Sequence, residues 1–414
     1  MRRAVTDARS SGLVGKRWCV ILLLAMKRLS ILAAVLPCVL LACASQGPPP
    51  ASFMAAGPEA YQALGLSPGI VEPWEDGMRT TGGRGSYEWW YFDFTFTDRT
   101  TLVIAYYTKN VINPDGPLEP TVTFALDRPN GSSLHRSFTV RPGDFTAAKD
   151  RCDVRIGPSS ASGDLHDYLL HVQFEHVRAD LTLHGTVPPW RPGTGSLSFG
   201  NHHFAWLCSV PQGVVRGTLV IGGATEHVSG VGYHDHNWGD TSMADLIHHW
   251  YWGRAQAGPY TVIASDIFPS GRPESDAVAI FMLARDGELI VDDASKVHVS
   301  FEDTRIDEPT GKPVATAVVY DYDDGTTRFR VTFRRETTLL RVKLVDVLPG
   351  LQAFLARIAG FNGAYLRFTG PTTVERLDGE TVVESDTEQA AVWELMYFGS
   401  APATPAAPPI ARGR

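Results

Sequence analysis

Apolar and polar positions alternate along most of the chain. Tyr87–Thr97, Thr101–Tyr107, Thr121–Asp127, Leu169–Phe174, Leu181–Gly185 and Val214–Ile221 keep a period of two or are rich in β-branched and aromatic residues. So do Tyr260–Ile267, Ala277–Ala284, Ala315–Tyr320, Arg328–Phe333 and Leu339–Val345. A period of two sends successive side chains to opposite faces, which is the signature of a strand. Turn formers separate the runs: Asp98-Arg99, Pro129-Asn130-Gly131, Asp286-Gly287, Asp323-Asp324-Gly325 and Asp378-Gly379. Many short strands at close spacing predict an all-β chain of sandwich or barrel type. One stretch has helical character, Leu351–Ile358, opened by Pro349-Gly350 and closed by Gly360. No fixed-period repeat is visible.

The length of 414 residues exceeds one ordinary domain. Two β domains are expected, over residues 65–245 and 246–399, with the junction near Met243–His249. Residues 43–64 read as a tether, because Gln46–Gly57 is dense in Pro, Ala and Gly. Residues 400–414 have a similar composition and are expected to be a disordered tail.

The amino end is expected to be an export signal over residues 1–42. Ile31–Ala42 is an apolar run preceded by Lys27 and Arg28. It is shorter than the ~20 residues that a spanning helix needs. A basic start followed by a short apolar core reads as a secretory signal, with Met26 as its natural first residue. The run ends Leu40-Leu41-Ala42-Cys43, which resembles a bacterial lipoprotein box. That resemblance implies lipidation at Cys43 and a cell-envelope lipoprotein on the periplasmic side, touching the membrane through its anchor only.

Charge narrows the partners. The net charge is −8, and removing residues 1–42 takes away seven bases and one acid, which moves it to −14. Such a surface disfavours nucleic acid and anionic lipid headgroups. The five cysteines contain no C-x-x-C pair, which excludes zinc ribbons and thioredoxin-type redox sites. Cys152 and Cys208 would remain after export, either bridged or as separate buried thiols.

Phosphate-binding loops, H-E-x-x-H and G-x-S-x-G are all absent. Two aromatic-polar clusters stand out instead. The first is Tyr87-Glu88-Trp89-Trp90-Tyr91-Phe92-Asp93-Phe94. On a strand, Glu88, Trp90, Phe92 and Phe94 share one face, and Tyr87, Trp89, Tyr91 and Asp93 share the other. Its acids are either desolvated in an aromatic pocket or satisfied by turn amides. The second is Gly230 to Gly239, with Tyr233-His234-Asp235-His236-Asn237-Trp238, followed by His248-His249-Trp250-Tyr251-Trp252. An H-x-H on a strand puts both imidazoles on one face, so a metal completed by His248 or His249 and a buried hydrogen-bonded network are both open readings. The mixture suits proton transfer to an alkene. A carboxyl among aromatics stays protonated because desolvation raises its pKa, and indole faces stabilise the cation that forms.

These two clusters and the closing Trp393-Glu394-Leu395-Met396-Tyr397-Phe398-Gly399 resemble the carotenoid 1,2-hydratase (hydroxyneurosporene synthase) and AttH superfamily, over roughly Gly65–Gly399. The resemblance implies two lipocalin-like β-barrel or sandwich domains packed together, with no metal and no organic cofactor. It implies acid-catalysed hydration, isomerisation or cyclisation of an apolar, isoprenoid-like small molecule. The alternative it carries is a non-catalytic carrier of a hydrophobic ligand that serves an export or other transport system. By resemblance Asp266 is the acid, and His236 and Trp238 match the functional His and Trp. Ala264 stands where the hydratases carry Tyr. Asp235 and Glu88 are substitute acids. Trp89, Trp90, Tyr91, Tyr233, His234, Trp250 and Trp252 are the expected substrate-binding side chains.

Overall fold

The computed structural model describes residues 52–272, 274–347 and 361–399. The predicted export signal, Cys43, the tail and the predicted helix at Leu351–Ile358 lie outside the described residues. Within them the chain is almost entirely antiparallel strand, as the alternation requires.

The strands form two large sheets. The first has thirteen strands and holds everything from Ser52 to Gly239. Its seam is non-local: Tyr87–Phe96 pairs with Ala224–Gly239, so the start of the sequence cluster meets the H-x-H segment. The second has ten strands, from Ile247 to Tyr397. It repeats the device, pairing Ile247–Ala257 with Thr381–Tyr397. A single helical turn, Met243–Leu246, joins the sheets. Each sheet curls into a half-barrel of the lipocalin type around its own core.

Alternation then sorts the side chains into three cores. Trp90, Phe92, Phe94 and Phe96 fill the first half-barrel. Tyr251, Val262, Ala264, Phe268 and Trp393 fill the second. Tyr233, Ile263, Ile267, Ile280 and Met282 pack where the sheets face each other, with Trp89, Tyr91, Trp250 and Trp252 partly buried against them. Strands at this seam bury both faces. Tyr260–Pro269 is buried at every residue, which is why it is mostly apolar, with only Thr261, Ser265 and Asp266 polar.

One expectation needs correction here, and one open alternative is decided. Ser52–Met54 is a strand paired with Leu197–Phe199, and Pro58–Leu64 is a helix, so the tether reading does not hold for those residues. Pro58 opens that helix and Gly65, at φ 68°, closes it. Cys152 and Cys208 are both free, in separate cores.

Candidate active site

A cavity of about 330 Å³ lies where the two sheets face each other. The first sheet contributes Trp89, Tyr91, Tyr107, Trp206, Asp235 and Asn237. Across from them stand Trp250, Trp252, Tyr365, Glu394 and Phe398. Seven strands, four of the first sheet and three of the second, carry all of these side chains but Phe398, and their alternation aims them inward, so the walls are aromatic and the polar groups few.

Two carboxyls face this space. Asp235 Oδ2 accepts from the Tyr233 hydroxyl at 2.8 Å and Trp206 Nε1 at 3.0 Å, and Oδ1 accepts from Asn237 Nδ2 at 2.6 Å. Glu394 Oε2 accepts from the Tyr365 hydroxyl at 2.6 Å and Oε1 from Trp250 Nε1 at 3.3 Å. Burial pushes both carboxyls up to about 6, against those hydrogen bonds. The Arg367 guanidinium also pulls Glu394 down. Tyr107 is driven above its ordinary value by burial and by the charges of both acids, so its phenol stays protonated between them. One wall thus carries an acid, the facing wall carries another, and both exchange protons near neutral pH.

The imidazoles occupy the opposite face of the same strand. His234 Nδ1 lies 2.9 Å from the Tyr91 carbonyl and must donate to it. Its Nε2 lies 3.1 Å from Asp76 Oδ2, which also accepts from the Tyr168 hydroxyl at 2.5 Å. His236 Nε2 bonds Glu88 Oε1 at 2.8 Å, and its Nδ1 lies 3.5 Å from Asp76 Oδ1. The two rings stack on Phe92 and Trp90 inside the first half-barrel. Glu88 also accepts the backbone N–H groups of Arg79 and Thr80 and the Thr80 hydroxyl. Burial raises the Asp76 carboxyl, yet His234, His236 and Tyr168 hold it below its ordinary value. These buried acids and imidazoles tie the turn at Pro73–Asp76 to the barrel.

The chain and its fold resemble several known proteins. The Diels-Alderase-like family model matches residues 164–342. The quinolone epoxide rearrangement protein asqO of Emericella nidulans is 24% identical over 302 residues, 67% of this chain and 80% of that protein. Hydroxyneurosporene dehydrogenase of Chlorobaculum tepidum is 33% identical over 256 residues, 52% of this chain and 66% of that protein. An AttH-like protein of Nitrosomonas europaea superposes with a TM-score of 0.54 at 16% identity, over 81% of this chain and 99% of its own, which shows a shared fold. These likenesses support a relation to the carotenoid 1,2-hydratase/AttH-like superfamily. The segment matched by the family model spans Asp235, Trp250 and Trp252 and ends before Tyr365 and Glu394.

The predicted catalytic set is not brought together. Asp235 faces the cavity. His236 and Glu88 face the first half-barrel core instead, and Trp238 packs on His236 at 4.9 Å. Asp266 is fully buried in register with Tyr251, and its charge acts on Tyr320 within the second half-barrel. Its neighbours Ser265 and Ile267 face the cavity, so the period of two turns Asp266 away. Among the binding residues, Trp89, Tyr91, Trp250 and Trp252 line the cavity. Tyr233 supports it by its bond to Asp235. Trp90 and His234 do not reach it: Trp90 Nε1 donates to the Asp76 carbonyl at 2.9 Å. The open metal reading also fails on geometry, because His248 and His249 pair with each other beside Tyr397 and Phe268 on the second sheet. Asp266→Asn is therefore expected to change thermal stability while leaving the pH profile of turnover in place, as differential scanning calorimetry and initial rates will read.

Proposed function

We propose that this chain is a proton-transfer enzyme that hydrates, isomerises or cyclises an apolar, isoprenoid-like substrate between its two sheets, with Asp235 and Glu394 as the acid–base pair. The observation that carries the reading is the placement of two desolvated carboxyls on facing walls of one aromatic cavity. One carboxyl gives its proton to an alkene or epoxide oxygen. Indole faces of Trp89, Trp250 and Trp252 stabilise the cation. The other carboxylate then removes a proton, giving an isomer, or takes one from an adding water, giving an alcohol. The name of asqO, a quinolone epoxide rearrangement protein, supports a redox-neutral rearrangement on this fold.

The cavity is near the lower end of the ~300–1,000 Å³ typical of small-molecule sites. A ring system or one end of a polyene fits that space better than a whole carotenoid. The apolar run before Cys43 supports an envelope lipoprotein that meets such molecules at the membrane.

The test is incubation of the protein with apolar alkenes and epoxides, followed by mass spectrometry. A gain of one water, or a shifted retention at unchanged mass, is the expected result. Release of every ligand unchanged, across the panel, overturns the enzyme and favours the carrier.

Ligand binding should also take up protons. An uncharged apolar ligand displaces water and disfavours the carboxylate forms further. Both carboxyls sit raised at about 6, so affinity is expected to rise as pH falls through about 6 and to level off once both are protonated. Quenching of cavity tryptophan fluorescence, titrated from pH 5 to pH 8, measures this. A flat affinity places the ligand elsewhere.

A further inference from the structure

We propose that His166, Asp167 and His184 form a surface site for a divalent transition-metal ion, remote from the carboxyl cavity. The three side chains offer two imidazole nitrogens and a carboxylate oxygen that all lie within 4.8 Å of one another. His184 Nδ1 is 2.8 Å from Asp167 Oδ1, and His166 Nδ1 is 3.3 Å from Asp167 Oδ2. The two rings approach to 4.4 Å at 85°. Bonds of about 2.0–2.2 Å from one ion at tetrahedral angles put ligand atoms about 3.3–3.6 Å apart, so the close pair must open and the wider ones close by up to about 1.5 Å. Small rotations of exposed side chains supply the difference.

The fold builds this arrangement. His184 and Asp167 are direct cross-strand partners of the Asp167–Phe174 and Val177–Gly185 hairpin. Opposite residues on one face hold their side chains within reach of each other. His166 is brought to the same edge because the Gly185 N–H donates to its carbonyl at 2.7 Å. Asp164 Oδ1 accepts the N–H groups of His166 and Asp167 at 3.1 and 2.8 Å, which fixes the approach to the strand. All three side chains are more than half exposed, so a bound ion keeps open positions for water.

The donor set selects the ion. Two imidazoles and one carboxylate suit Zn²⁺, Ni²⁺, Cu²⁺ or Fe²⁺, whereas Mg²⁺ and Ca²⁺ prefer all-oxygen shells. The negative net charge of the chain favours cation approach. The other three-residue group among the described residues, Asp76, Cys152 and His234, is fully buried, and Asp76 and His234 are already hydrogen-bonded to each other.

The test is calorimetric titration of the full chain, carrying no histidine tag, with Zn²⁺ and with Mg²⁺. One Zn²⁺ per chain is expected, without comparable Mg²⁺ binding. Affinity is expected to fall at least tenfold in His184→Ala, in His166→Ala and in Asp167→Asn, with circular dichroism unchanged. Substituting Co²⁺ should give visible absorption bands that disappear in the same variants. Absence of Zn²⁺ binding overturns the proposal. So does equal binding in the His166→Ala/His184→Ala double variant, which would move the ion elsewhere, for example to His202, His203 and Asp240.

Discussion

Turnover in Asp235→Asn and in Glu394→Gln is expected to fall by ~10²–10⁴-fold, the usual loss when a general acid or base is removed. Each change keeps the shape of the side chain and removes the carboxyl that gains and loses a proton. Neither should unfold the chain. A carboxyl raised to about 6 is penalised as an anion by its own burial. Between its ordinary unfolded value and about 6, the folded state holds a proton that the unfolded state has released, so stability falls as pH rises through that window. Above it, a neutral amide avoids the penalty. Against this gain, the amide offers one acceptor oxygen where the carboxylate offered two, so melting temperatures of both variants at pH 7 are expected close to that of the parent chain. The double variant should be scarcely slower than either single one, because the two groups serve one proton circuit. Loss of activity together with a fall in melting temperature would assign both residues to packing instead. Turnover unchanged in both variants would remove the acid–base pair altogether.

The strands and the half-barrels were legible because their physics is local. Alternation over Thr101–Tyr107 and Thr121–Asp127 matches the observed strands end to end. Asp-Gly and Asn-Gly turns fall where glycine takes a positive φ, as at Gly131, Gly287 and Gly325. Lengths were harder. The run starting at Val214 is the second half of a strand that begins at His202, and its first part, buried on both faces, lacks the polar alternation that marks a half-exposed strand. Asp235 was within reach of a reading by faces, since Tyr233, Asp235 and Asn237 oppose His234 and His236 on any strand. Which face meets the cavity was not, because that depends on the second sheet. Glu394 lies inside the closing aromatic motif, where nothing local marks it as facing a cavity. Its partner Trp252 sits about 140 positions earlier and becomes its neighbour only through the pairing of Ile247–Ala257 with Thr381–Tyr397. The choice of Asp266 followed from resemblance alone, and the register of its strand turns it into a core.

The second large effect concerns Asp93, the other acid of the first aromatic cluster. It is fully buried and faces the second sheet. Arg367 donates to its Oδ2 at 2.9 Å, and Arg254 approaches its Oδ1 at 3.3 Å. One carboxylate thus ties two strands of the other sheet to the first. Burial raises the Asp93 carboxyl, but the two guanidiniums more than offset this and hold it below its ordinary value. Its stabilisation is present above that ordinary value and is lost as pH falls through the lower, folded one. Asp93→Ala leaves two buried guanidiniums without a counter-charge, which is expected to cost about 3–5 kcal/mol of unfolding free energy in urea. Replacing all three residues with apolar ones of similar volume should recover most of that loss, because the penalty belongs to the unpaired charge and not to the missing bridge. The same substitution reaches the chemistry. Arg367 pulls the Glu394 carboxyl down and Asp93 pushes it up. Without Asp93, Glu394 should titrate lower, and the limb of the pH–rate profile that it governs should move to more acid pH while the Asp235 limb stays in place. A profile displaced as a whole, or not displaced at all, would show that the ion triad holds the sheets together without tuning the acid between them.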